Sequence, residues 1–268
     1  VRTSSNPAFK NLPTGQGGYA GFNQMGAAVA GTKGYAYGQG STDLGQAGPG
    51  ERALTIDDVV TKTAITAGAA LIAGVLTALA GPQFAWVVLP AFLVGLVISL
   101  IVIFKQSTNP ALIMTYSIAE GIALGGISGV FNERYSGIAV QAVIGTAGVF
   151  LGMLVIYKTG AVRVTPKLTK WIMGALIGVV VLMLANFIGN LFGFDMGLRS
   201  GGPIAIIFSL VVIGVAAFSL LLDFDQADQA IRGGVPAKYA WYIAFGLMTT
   251  LVWLYLEILR LLSYLRQD

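Results

Sequence analysis

A few carboxylates stand inside stretches that are otherwise apolar. Glu257 lies within Trp253-Leu-Tyr-Leu-Glu-Ile-Leu-Arg-Leu-Leu262, and Asp223 and Asp225 lie in Leu220-Leu-Leu-Asp-Phe-Asp225. Glu120 stands in a third stretch, directly before Gly121-Ile-Ala-Leu-Gly125-Gly-Ile-Ser-Gly129. A carboxylate at the centre of a membrane helix costs about 2.5–3.5 kcal/mol on insertion scales, so it faces a bundle interior or a wet cavity and finds a partner there. Arg260 follows Glu257 by three residues, a spacing that lets the two pair on one helix face. Two readings stay open. Glu257 and Arg260 neutralise each other while Glu120 bonds a neighbouring helix, or two or three of the acids converge on a polar path. Oxygen ligands of this kind suit protons or hard cations such as Ca²⁺. Two acids in a low dielectric would share a proton rather than both ionise. Asp228 and Arg232, four apart, read as a solvated pair on a helix surface.

The missing residue types narrow the chemistry. Histidine and cysteine are both absent. That removes histidine bases and ligands, the usual pH switch, disulfides and thiolate metal sites. Any pH response near neutrality would therefore have to come from carboxylates. Gly126-Ile-Ser-Gly129 resembles the serine motif of intramembrane rhomboid proteases, which cannot work without a histidine base. No GxxxxGK[ST] phosphate loop is present, nor the GxGD pattern of intramembrane aspartyl proteases. We expect no enzyme activity, no resident metal or cofactor, and Ca²⁺ at most as a transported ion.

These acids need helices to hold them. The 268 residues are 56% hydrophobic and 10% charged, where soluble domains carry about 25% charged residues. With a mean hydropathy of +0.78, the chain reads as an integral membrane protein. Seven apolar stretches fall near 63–81, 84–104, 109–131, 138–157, 171–192, 203–222 and 239–262. Each approaches the roughly 20 residues that a helix needs to cross the hydrocarbon core. Gly81-Pro82, Asn109-Pro110, Thr165-Pro166 and Gly233-Gly-Val-Pro236 are among the turn-like separators. The expected fold is all-α, a bundle of seven transmembrane helices over 53–268. A short amphipathic lead-in at 55–63 would start at a Thr55 cap, with Asp57 and Asp58 in its first turn. Small residues at every fourth position, in Gly121/Gly125/Gly129, Gly148/Gly152 and Gly174/Gly178, predict close helix packing. Residues 1–52 are rich in Gly with Ser, Thr, Gln and Pro, and hold no apolar run fit for a core or a signal peptide. We expect a disordered tail there.

Lysine and arginine set the orientation. With seven spans, the tail and the second, fourth and sixth loops share one side, with the run from Lys158 to Lys170 the strongest vote. Arg134, Arg199 and Arg266 fall on the other, with Arg260 near it. The positive-inside rule then predicts a cytoplasmic N-terminus and an external C-terminus. A net charge of +4 is an orientation signal, not a nucleic-acid surface. The expected partners are the bilayer and, in the alternative reading of a non-transporting regulator, another membrane protein, with the oligomeric state left open.

The C-terminal third resembles the Bax inhibitor-1–like (TMBIM) family, and more narrowly its bacterial branch. The resemblance rests on Leu220-Leu-Leu-Asp-Phe-Asp225, Trp241-Tyr-Ile-Ala-Phe-Gly246 and Thr249-Thr-Leu-Val-Trp-Leu-Tyr-Leu-Glu-Ile-Leu-Arg-Leu-Leu262, and covers about 53–268. It implies a seven-helix bundle around a central last helix in the bacterial plasma membrane. It also implies a pH-sensitive calcium leak, latched by an acid of the sixth span and an acid of the seventh. Carried over, these are Asp223 and Glu257. The second acid is Glu where the family motif has Asp, and the stretch between the two is longer here.

Overall fold

The structure, a computed structural model, describes Ala47 and residues 51–194 and 196–267. Among these residues seven long helices run in chain order: α1 (Ile56–Ala80), α2 (Val88–Lys105), α3 (Pro110–Arg134), α4 (Ile138–Thr159), α5 (Pro166–Leu191), α6 (Pro203–Arg232) and α7 (Ala240–Leu265). Two short 3₁₀ helices, Pro82–Val87 and Ala237–Tyr239, precede α2 and α7. All seven long helices are long and apolar enough to cross a membrane. Of the tail expected at 1–52, residues 1–46 and 48–50 lie outside the described residues.

The ends follow local chemistry. Thr55 and Asp58 form a reciprocal capping box, and Asn109 and Thr165 cap α3 and α5 ahead of a proline in the first turn. Three boundaries differ from expectation. The lead-in at 55–63 is no separate element: nothing breaks the chain between the Thr55 cap and the first span, so α1 is one helix of 25 residues. Helix α5 starts at Pro166 rather than 171, because Thr165-Pro166 is a start signal as well as a separator. Helix α6 continues ten residues past 222, to Arg232. Its last turns are polar but hold good helix formers such as Ala and Gln, and it stops only at Gly233-Gly234. Asp223, Asp225 and Asp228 therefore sit within a helix rather than at its end.

Helix α7 is central. It packs on α6, α1, α4 and α3, and half of its hydrophobic window is buried, the largest share of any helix. Residues Leu247, Leu254, Ile258 and Leu259 join Leu220, Leu221 and Phe224 of α6 in the main core. The closest pairing is α1 against α3. A Cβ on Gly121 would strike the backbone of Ala70, and one on Gly125 the backbone of Gly74. Gly129 faces Ala78 at 3.8 Å. Two stripes of small residues thus meet, with the helices running the same way. The other glycine pairs do not serve this purpose among the described residues: a Cβ on Gly148, Gly152, Gly174 or Gly178 would have nothing within 4 Å.

The residues before α1 are fastened to the turn between α6 and α7. The Leu54 N–H donates to the Val235 carbonyl at 2.8 Å, and the Ala237 N–H to the Arg52 carbonyl at 2.9 Å. Lys238 pairs with Glu51 at 2.7 Å, and the Leu54 side chain is buried in the main core. Glu51 and Arg52 are thus tied to the helical unit. At the opposite end, Arg266 donates to the Ser136 carbonyl and to Gln141, both at the α3–α4 turn.

Candidate functional site

Glu257 is the most deeply buried acid, 1% exposed, although α7 carries it near its end. One carboxylate oxygen takes the Arg260 guanidinium at 2.7 Å, and the other takes the Ser209 hydroxyl of α6 at 2.8 Å. Arg260 remains 27% exposed, so the cation keeps some contact with its surroundings while the anion keeps none. Arg199, on the α5–α6 connection, lies close enough to feel both charges. Desolvation and the neighbouring Arg260 lower its pKa, and Glu257 opposes that. Glu257 is a neutralised acid with both oxygens satisfied.

Asp223 is different. It is half-buried on α6, and its only hydrogen bond among the described residues comes from the Thr250 hydroxyl of α7, at 2.6 Å. No lysine or arginine among the described residues pairs with it. Asp223 and Glu257 are not brought together. Their partners on α7, Thr250 and Glu257 itself, stand seven residues apart, about 10 Å along the axis. The shared-proton pair expected from the sequence is not formed. Between the two acids α6 runs on to Arg232 before the turn into α7, and each acid faces a different level of its partner helix.

The remaining acids fall into two settings. Asp225 accepts from the Gln229 side chain at 2.6 Å, and Asp228 pairs with Arg232 at 2.8 Å while accepting from the Tyr157 hydroxyl at 3.3 Å. Both line a cleft of about 1500 Å³ bordered by α1, α3, α4, α6 and α7. Glu120 does not reach that cleft. Its carboxylate lies against Gly95 of α2, where a Cβ would come within 3.0 Å of it. It forms no hydrogen bond or ion pair among the described residues. The expected bond from Glu120 to a neighbouring helix is absent, and Gly95 is the residue whose small size admits the acid. No three acids gather as a metal-ligand cluster among the described residues.

Several polar partners escape a reading that follows charges. Ser209 and Thr250 receive the two principal acids, Ser128 bonds Tyr255 at 2.6 Å, and Tyr116 bonds Thr249 at 3.2 Å. Each is a hydroxyl within an apolar span, where it has no water to bond and must find a partner inside the bundle. That is the signal that could have marked them. Lys62 also stands 4.7 Å over the Trp241 ring, a contact invisible in sequence.

The fold and these intramembrane acids define a multi-pass helical membrane protein built around a buried last helix. Residues 6–267 match the model of the family described as Bax inhibitor 1 like, and the chain belongs to that family. The match reaches into the tail, which the C-terminal motifs alone had left outside. No curated protein matches the chain.

Proposed function

We propose that this protein is a passive, pH-modulated cation leak, with Ca²⁺ as the transported ion, in the bacterial plasma membrane. The observation that carries the reading is Asp223: an intramembrane carboxylate with a neutral hydroxyl for a partner and, among the described residues, no cation to cancel it. Asp225 and Asp228 follow on the same helix and border the cleft, so three acids succeed one another along the last turns of α6. Carboxylates in sequence suit the stepwise passage of a hard cation, and protonation removes the charge that attracts it. Glu257, already neutralised by Arg260, acts in this reading as a structural clamp between α6 and α7 rather than as the second half of a latch. The charge asymmetry supports a cytoplasmic setting for the Asp225 end of α6.

Purified protein in liposomes, loaded with a Ca²⁺ indicator, tests this. Asp223→Asn should flatten the pH dependence of flux near neutrality, and Glu257→Gln should leave that dependence in place. Absence of flux in the unaltered protein, or a pH response that survives Asp223→Asn, would refute the reading. A second reading, a non-transporting regulator that binds another membrane protein, draws on the unpacked Gly148/Gly152 and Gly174/Gly178 faces. Crosslinking in native membranes separates the two: a stoichiometric partner without flux would favour the second.

A further inference from the structure

The 1500 Å³ cleft exceeds the roughly 300–1,000 Å³ of small-molecule pockets, and its walls are mostly apolar. It exists because α1 and α4 hardly touch: both pack on α3 and α7, which form its floor, and leave a lateral gap. Residues such as Leu71, Val75, Val143, Ile144 and Leu151 face that gap. The two ends differ in charge. At one end Lys158, Arg163 and Arg232 line the cleft with Asp225 and Asp228, and at the other the one charged lining residue is Glu133. Arg232 is spent on Asp228, and Asp225 is held by Gln229. Lys158 and Arg163 have no side-chain partner among the described residues. The basic end thus carries a formal surplus of one positive charge, from three cations and two anions, and both unpaired cations are free to receive an anion.

We propose that the cleft is a binding site for an anionic phospholipid, its phosphate held by Lys158 and Arg163 and its acyl chains lying between α1 and α4. Length and composition fit a lipid rather than a soluble ligand. Apolar walls run from the basic end past several turns of both helices, and basic pockets between membrane helices are suited to lipid head groups. The unequal ends select the orientation, because an anionic head at the Glu133 end would meet a like charge. This inference does not depend on Asp223 or Glu257, although the cleft it fills is the one that Asp225 and Asp228 border.

The test is lipid retention by the full-length protein in detergent. Phosphatidylglycerol and phosphatidylcholine of matched chain length are titrated, and binding is followed by native mass spectrometry and by thermal shift. Phosphatidylglycerol should bind in one-to-one ratio and stabilise the protein, while phosphatidylcholine, whose choline cation cancels the phosphate charge, and glycerol phosphate, which lacks the chains, should not. Lys158→Gln and Arg163→Gln should each weaken phosphatidylglycerol binding about fivefold, the usual effect of one basic residue near an anionic surface. Lys167→Gln and Lys170→Gln, on the same segment but outside the cleft lining, should change nothing. Ala147→Phe, which narrows the gap from the exposed face of α4, should also reduce retention with both cations in place. Equal retention of the two lipids, equal losses from all four lysine and arginine changes, or stabilisation by glycerol phosphate alone would each overturn the proposal.

Discussion

Glu257 and Arg260 form a pair whose two members are not equally buried. Removing the cation strands a carboxylate that is 1% exposed, with the Ser209 hydroxyl as its one remaining donor. Breaking a buried pair in this way costs about 3–5 kcal/mol, whereas replacing both partners by apolar groups is often neutral. Arg260→Leu alone should therefore lower the unfolding temperature in detergent more than the double change Glu257→Leu/Arg260→Leu does. A double change as harmful as the sum of the two single ones would show that the residues are not coupled. Spacing alone made this pair legible, since three residues on a helix face bring the groups within reach. The Asp223–Glu257 latch was not readable in the same way. It rested on a resemblance, and the position of Asp223 relative to α7 depends on how far α6 runs, which hydropathy does not reveal when a helix outlasts its apolar stretch. Glu120 posed a further difficulty: its setting is defined by a glycine on another helix, Gly95, and no local pattern points to it.

At the scale of helices, small residues had two different meanings that the sequence could not separate. Gly121, Gly125 and Gly129 meet Ala70, Gly74 and Ala78, so two complementary stripes lock α1 to α3. Gly148, Gly152, Gly174 and Gly178 have the same spacing, but a Cβ on any of them would meet nothing within 4 Å among the described residues. Spacing identifies a face that permits close approach, but only the arrangement of the bundle decides whether another backbone arrives there. The Ala70/Gly74/Ala78 stripe was present in the sequence and could have been paired with the stripe of α3. Gly125→Val must displace backbone, and overpacking of a tight core costs about 1–3 kcal/mol or more. It should lower the unfolding temperature of the detergent-solubilised protein, while Gly152→Val should leave it unchanged. Equal sensitivity would mean that the α4 face is also in contact, with a second copy or another partner. Span number and approximate position were legible because lipid demands long apolar helices; the ends were less so, because polar residues such as those after Asp223 can continue a helix beyond the membrane core.

For the whole molecule, the contacts at the two ends constrain which segments share a side. The strand-like segment before α1 bonds the α6–α7 turn through Leu54, Val235, Arg52 and Ala237, so these two regions lie together. Arg266 reaches Ser136 and Gln141, so the end of α7 lies with the α3–α4 turn. An odd number of spans is the arrangement that satisfies both sets of bonds. Charge then chooses between the two orientations of this body. Arg52, Lys62, Lys105, Lys158, Arg163, Lys167, Lys170, Arg232 and Lys238 fall at or near the first side, whereas Arg134, Arg199 and Arg266 fall at the second, with Arg260 near it. The positive-inside rule counts cations close to the ends of spans and gives little weight to acids, so the asymmetry predicts the first side in the cytoplasm. Reporters fused ahead of residue 1 and after Asp268 should accordingly report the cytoplasm and the exterior. Both reporters on one side would contradict the bonding pattern as well as the charge rule. Opposite sides with the reverse assignment would leave the fold intact but place Asp223, Asp225 and the basic end of the cleft outside. Replacing Lys158, Arg163, Lys167 and Lys170 together by Gln removes the densest group of cations, and a mixed population of orientations is the expected result. A uniform orientation after that change would show that the remaining loops, not the α4–α5 segment, determine how the protein enters the membrane.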